Sequence, residues 1–377
     1  MKLLRLFITG LPLFPESLEL NFFARQRVDE THRDQLIPLS SKFYLNGANA
    51  IVGINASGKT SVLKAILLSL DILNNQPINH SDRRDILGDC TDATFVINFL
   101  SDNNEVCQLE THITSKRRVY SITSESLWTK PLSDVKTKAQ LISFGASAPT
   151  AIRSNDEAFL PDDVSIIIAQ NKKLGQHINT YDMLSFTNEN VLPISDEVSE
   201  DIIQFLDPTI ESLTFDRDTI HLKFKGQKEI LLSDPVELNR YLSSGTIKGI
   251  VTFTLAMQAL STGGCLVIDE LEDHFNKEIA ATLMRFFMNA SLNKNGGVLI
   301  FSTHYVELLD EFDRNDSIYI TRNRNGLTVE NLPAILKRND IKKSDAYQSD
   351  LLKGTVPSYE AYLKLKKSIQ AALTKEA

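Results

Sequence analysis

Residues 53–60, GINASGKT, decide the fold. They follow the hydrophobic run Ala48–Val52 and precede Ser61–Leu73, where Val62, Leu63, Ile66, Leu67 and Leu70 recur at helical spacing. A strand therefore leads into the stretch and a helix leads out. Every fixed position of G-x-x-x-x-G-K-[ST] is met, which chance supplies in a chain of this composition on the order of one time in a hundred. Gly53 and Gly58 let backbone N–H groups wrap phosphate oxygens, and the following helix adds its positive dipole end. Lys59 reaches the β- and γ-phosphates, and the Thr60 hydroxyl is a Mg²⁺ ligand. We read Gly53, Asn55, Ala56, Ser57, Gly58, Lys59, Thr60 and Ser61 as a nucleotide-binding loop.

Composition bounds what such a loop can serve. The 377 residues suffice for two domains, or for one large α/β core with a substantial insertion. A hydrophobic content of 42% with 23% charged residues is that of a globular chain. The net charge of −8 leaves no overall basic footprint, so nucleic-acid contact would need a local patch or a partner. Cys90, Cys107 and Cys265 are far apart and form no CxxC pair, which argues against disulfides or a zinc site and fits a reducing cytosol. The start, MKLLRLFITGLPLFPESLEL, has an apolar stretch broken by Arg5, Gly10 and Pro12 and no small-residue cleavage site, so it reads as a strand and turn rather than a signal peptide. No run approaches eighteen apolar residues, and a cytoplasmic protein without a membrane span is expected.

Three parts follow from a pass along the chain. Residues 1–123 read as an N-terminal lobe: strands near Lys2–Ile8, Leu18–Phe23 and Ala48–Val52, then an antiparallel meander at Ala93–Leu100, Val106–Ile113 and Arg118–Thr123. Residues 124–237 read as an insertion, with the apolar run Val164–Ala169, a helix at Asp196–Leu206 and a hairpin at Ser212–Phe215 and Thr219–Phe224. Residues 238–377 alternate helix and strand: Ile247–Leu260, Cys265–Ile268, Lys277–Ala290, Val298–Ser302 and Val306–Phe312, with a hairpin turning at Asn325–Gly326. The fold class expected is α/β, with a mostly parallel core sheet, an antiparallel meander and no long coiled coil.

Two strand ends carry further chemistry. Cys265–Ile268 delivers Asp269 and Glu270 to a carboxyl edge, where open α/β sheets place ligands. Asp269 is the second candidate Mg²⁺ ligand, and Glu270 the candidate acceptor of a proton from attacking water. The next strand ends in Thr303-His304, and His304 is placed to contact the γ-phosphate. A last stretch, LSSGT at Leu242–Thr246, sets Ser243, Ser244 and Gly245 at a helix N-terminus, a second anion site for which a chain with one phosphate loop has no obvious use.

The order of these motifs resembles that of ABC-type ATPases. LSSGT stands where their signature stands, CLVIDE where the magnesium strand stands, and FSTH where the switch histidine stands. Asn55 in GxNxSGKT, and Asp-Glu-Leu-Glu in place of Asp-Glu-Pro, look like the RecF/OLD-like branch, whose members act in DNA repair and in prokaryotic phage defence. The tail AYQSDLLKGTVPSYEAY, Ala346–Tyr362, resembles that of small stand-alone defence ATPases of the AAA family. The resemblance covers Lys2 to about Leu73 and Leu238 to about Thr321. It implies a homodimer or a higher even-numbered oligomer with ATP sandwiched between Gly53–Thr60 of one copy and Ser243–Gly245 of another. It also implies a separately encoded effector such as a nuclease. Two departures stand out. EDHFNKE, Glu272–Glu278, replaces the Leu-His-Pro of the branch and leaves Asn276 as the candidate partner contact; Gln170 is a weak candidate for the glutamine that couples metal to insertion.

Other readings make different demands. A DNA-binding repair ATPase needs a basic surface, for which Lys116-Arg117-Arg118, Lys172-Lys173 and the Lys337-Arg338 to Lys342-Lys343 cluster are short candidates. A transporter subunit would carry its signature in a compact helical subdomain rather than after a β-meander. A P-loop kinase would leave LSSGT and His304 without a role. The segment after His304 is too short for an added nuclease domain of ordinary size.

Overall fold

Alternation along the strands around the phosphate loop sets the layers. The computed structural model describes residues 1–377 except 154–159, 187–198, 217–218, 274, 338–340, 356–358 and 376–377. Ala48–Val52 lies inside a six-stranded sheet ordered Thr180–Asp182, Cys265–Ile268, Val298–Thr303, Ala48–Val52, Ile318–Asn323, Leu327–Asn331. Its first five strands are mutually parallel, and only the last pairing is antiparallel. Ile51, Val267, Ile300 and Tyr319 enter one apolar cluster, whereas Ala50, Val52, Leu266, Ile268, Phe301 and Ile320 enter another. That is the period of two expected for a sheet covered on both faces.

On the first face lies the helix Lys59–Leu73, wedged under a second, antiparallel sheet ordered Leu18–Asn21, Lys2–Thr9, Ala93–Leu100, Glu105–Lys116, Val119–Pro131, Ala151–Ile152. Val62, Leu63, Ile66, Leu67 and Leu70 are buried, as their spacing predicts, but so are Ala65, Leu68, Ser69 and Ile72. A helix between two sheets must be apolar nearly all round. Each such Leu or Ile contributes roughly 1.5–3 kcal/mol through burial. On the second face pack the helices Ser244–Thr262 and Lys277–Phe287, with Glu200–Leu206 beyond them. A small antiparallel sheet, Ile210–Asp216, Thr219–Phe224 and Ile230–Leu232, joins that cluster.

The fold class agrees with the sequence reading, and several boundaries move. The last meander strand is Val119–Pro131, not Arg118–Thr123, so it crosses residue 123. The acidic Glu125 hid the continuation. It is buried and accepts from Thr111 Oγ1 at 2.6 Å, Ser165 Oγ at 2.8 Å and the Ile166 N–H at 2.7 Å; burial pushes its carboxyl pKa up against those bonds. Within residues 124–237, Thr180–Asp182 joins the edge of the core sheet, and the run after Val164 becomes the helix Ile167–Leu174. The helix expected at Asp196–Leu206 is Glu200–Leu206, and residues 196–198 lie outside those described. Val306–Glu311 is a 3₁₀ turn rather than an α-helix. No helix among the described residues is long and apolar enough to cross a membrane.

Candidate nucleotide site

Three parallel strands, Ala48–Val52, Cys265–Ile268 and Val298–Thr303, end at one edge, and there a cleft of about 670 Å³ opens. Asn55–Ser61 and Glu270 line it together with Pro12, Leu13, Asn323, Gly326 and Leu327. The loop geometry explains its glycines. A Cβ on Gly53 would stand 2.2 Å from both Ser57 Oγ and Thr321 Oγ1, and Gly58 has φ +94° with Leu327 against it. Gly58 is also the N-cap of Lys59–Leu73, and no side chain caps that helix. Its dipole end therefore faces the cleft without a side-chain acceptor of its own. Ser57, buried, shares a 2.7 Å hydrogen bond with Thr321 Oγ1, which in turn donates to the Val52 carbonyl at 3.2 Å.

The charged groups converge. Lys59 Nζ donates to the carbonyls of Gly53 at 3.1 Å and Ile54 at 3.4 Å and lies 3.0 Å from His304 Nε2. Burial lowers the Lys59 pKa, opposed by Glu270, Asp269 and Glu272. His304 Nε2 is also 3.3 Å from Glu270 Oε1. One ring nitrogen cannot serve both neighbours as a hydrogen bond: it accepts from Lys59 or donates to Glu270. Thr60 Oγ1 donates to Asp269 Oδ2 at 2.6 Å, while Ser302 Oγ donates to Asp269 Oδ1. Two hard oxygens side by side, with Thr60 lining the cleft, suit Mg²⁺, which takes one or two protein oxygens and completes its shell with phosphate and water. No cluster of three or more His, Cys, Asp or Glu among the described residues would hold a metal by itself.

Of the sequence candidates, Gly53, Asn55 to Ser61, Asp269, Glu270 and His304 come together. Ser243, Ser244 and Gly245 do not line this cleft. Ser243 caps its own helix, accepting from the Thr246 N–H at 3.0 Å. Asn276 likewise caps Lys277–Phe287 through Ile279 N. Gln170 sits beside Asn171, which donates to the Leu73 carbonyl at 2.7 Å. That is the far end of the phosphate-loop helix, roughly 20 Å from the loop at 1.5 Å per residue. Lys343 is spent on the Phe312 carbonyl at 2.6 Å and Lys342 faces Asp310, so the basic cluster there is partly built into the fold; Arg338 lies outside the described residues.

Among the residues that sequence reasoning missed are Glu272 and Lys248. Glu272 is 8% exposed; one carboxylate oxygen accepts the His304 N–H, and the other is buried without a hydrogen-bond partner among the described residues. Lys248, 3% exposed, donates to the Glu270 carbonyl at 3.2 Å. Its signal was a charge inside the apolar stripe of Ile247, Ile250 and Val251.

Over residues 48–310, more than half of its length, the chain matches the family described as "AAA domain, putative AbiEii toxin, Type IV TA system". The chain belongs to this AAA-domain family. Its type is thus that of a P-loop, nucleotide-hydrolysing ATPase, in a family linked by its description to toxin–antitoxin and abortive-infection systems. Such AAA domains generally bind ATP with Mg²⁺, for which the oxygens of Thr60 and Asp269 are suited. No curated protein matches the chain.

Proposed function

We propose that this AAA-domain protein is an ABC-type ATPase of the RecF/OLD-like branch. Two copies close head to tail around ATP, hydrolyse it, and thereby control a separately encoded effector, a nuclease, in antiphage defence. One observation carries the reading: Lys59, Thr60, Asp269, Glu270 and His304 form a single contact network, joined through Ser302, while the turn Ser243–Gly245 of the same chain does not line that cleft. A site with one wall missing, and a wall without a site, are what a sandwich dimer requires. In the proposed three-part division, the segment 124–237 supplies the small sheet beside the helix that bears the turn.

In the proposed cycle Lys59 gives up the Gly53 and Ile54 carbonyls and His304 for phosphate oxygens. His304 Nε2 is then free to donate toward Glu270 or the γ-phosphate. Mg²⁺ at Thr60 and Asp269, when bound, neutralises charge on the β- and γ-phosphates. Glu270, 54% exposed and at the cleft wall, takes the proton of the water that attacks the γ-phosphorus as the bond to the bridging oxygen breaks. The test is Glu270→Gln, which keeps shape but not basicity. With ATP it should run as a stable dimer and hydrolyse at least ~10³-fold more slowly. Monomer alone under saturating ATP sinks the sandwich.

A second reading, direct DNA binding as in repair ATPases, is favoured by one feature. The hairpin Lys116–Val119 turns through Arg117 and Arg118, both at positive φ, and leaves Arg118 78% exposed. Tight, salt-dependent binding of duplex DNA by the isolated protein would favour it over the first.

A further inference from the structure

Glu270 holds an unusual backbone. Its φ is +48°, a left-handed conformation that costs a non-glycine residue about 1–2 kcal/mol. Three bonds hold it there: its N–H donates to Ser302 Oγ at 2.8 Å, and its carbonyl accepts from the Asp273 N–H at 2.9 Å and from Lys248 Nζ at 3.2 Å. Only the last comes from another layer of the molecule. Lys248 lies on the helix Ser244–Thr262, one turn beyond Ser244.

That lysine is costly where it stands. Its ammonium group faces Asp273 Oδ2 at 3.8 Å and lies 5.9 and 5.7 Å from the rings of Phe186 and Phe275. Burial lowers its pKa, opposed by Asp273, Glu272, Glu270 and Asp269. A methionine or leucine would fill the space without the desolvation penalty of a buried charge. What neither supplies is a donor to the Glu270 carbonyl, or a cation near the Glu272 oxygen that has no hydrogen bond among the described residues and whose partner oxygen holds the His304 N–H.

We propose that Lys248 is a positioning residue: it clamps the strained backbone of Glu270 to the helix that begins at Ser243–Gly245. The turn that meets a second copy and the carboxylate that works in the chain's own cleft then move as one body. The inference rests on the ATPase reading, and deepens it.

The test compares Lys248→Met, which keeps bulk, with Lys248→Arg, which keeps donor and charge. The Met form should bind ATP with a Kd within about twofold of wild type, lose at least ~30-fold in kcat, and accumulate the ATP-bound dimer as Glu270→Gln does. The Arg form should recover much of that kcat. A lysine that only supports the fold would lower thermal stability without trapping the dimer. Should the Met form not fold, Lys248→Leu, which also lacks a donor, takes its place under the same criteria. If Glu270→Gln is inactive while the Lys248 variant keeps kcat within threefold of wild type, the clamp is overturned and the ATPase reading stands. A wild-type chain that hydrolyses no ATP overturns both.

Discussion

Two helix N-termini, read in the sequence as anion sites, differ in how they are capped. The helix Lys59–Leu73 starts at Gly58 with no side-chain cap, under a loop whose shape is enforced from outside by Thr321 and Leu327. The helix Ser244–Thr262 starts at Ser243, whose hydroxyl already accepts from the Thr246 N–H. The first leaves its positive end open to whatever enters the cleft; the second satisfies itself. An uncapped end buried without a partner is costly, so a fold that keeps one open beside a lysine, a threonine and two acids is organised around a ligand. Under the proposed sandwich, the self-capped turn exchanges its cap for phosphate when a second copy arrives. On the proposed reading, this difference makes one end a resting site and the other a switch.

The largest effect is expected at the open end. Lys59→Ala removes the cation that answers the phosphates while leaving the loop shape to Gly53, Gly58 and Thr321. ATP affinity should fall by on the order of 10²-fold or more, hydrolysis should vanish, and the melting temperature should change little, because the lysine is itself a buried charge. Affinity within a few-fold of wild type, measured by calorimetry, would erase the contrast between the two ends.

The self-capped end can be split chemically. Ser243→Ala loses the cap, which should cost about 1 kcal/mol of stability, and also loses the hydroxyl that the proposed sandwich offers to a second copy's phosphate. Ser243→Asp keeps a strong N-cap but sets a negative charge against that phosphate. Stability should therefore stay near wild type in the Asp form, whereas ATP-dependent dimerisation and hydrolysis fall by ~10-fold or more. An Asp form that dimerises normally would mean that Ser243 is a cap and nothing else.

Legibility followed the range of the contacts. The phosphate loop, the Asp269–Glu270 strand end and His304 were readable because each lies in a short run whose alternation also announces its strand. The cover on the first face of the core sheet was readable from Val62 to Leu70 and from the meander, and that on the second face from the helices expected at Ile247–Leu260 and Lys277–Ala290. Lys248, Glu272, Ser302 and Thr321 were not, because their roles are defined by groups up to 269 residues away, as for Thr321 and Val52. Thr180–Asp182 is too short to show a period, and it takes its conformation from pairing with Cys265–Val267. The turn at Ser243 was read as a second anion site; the structure adds that its hydroxyl is in use.

The smallest effect is expected from what braces the open end. Thr321 Oγ1 links buried Ser57 to the Val52 carbonyl, so it joins the loop to the strand on either side of Gly53. Thr321→Val keeps volume and β-branching but removes both bonds, leaving the Ser57 hydroxyl, 1% exposed, without this partner. A buried polar group so stranded costs about 1–2 kcal/mol, which chemical denaturation should register in full. ATP affinity should fall only two- to fivefold, because Lys59 and the loop N–H groups remain and only the order of the loop before binding is lost. Unchanged stability would mean that Ser57 finds another acceptor. A loss of affinity as large as that of Lys59→Ala would mean that the loop has no intrinsic shape and that Thr321, rather than its glycines, holds it open.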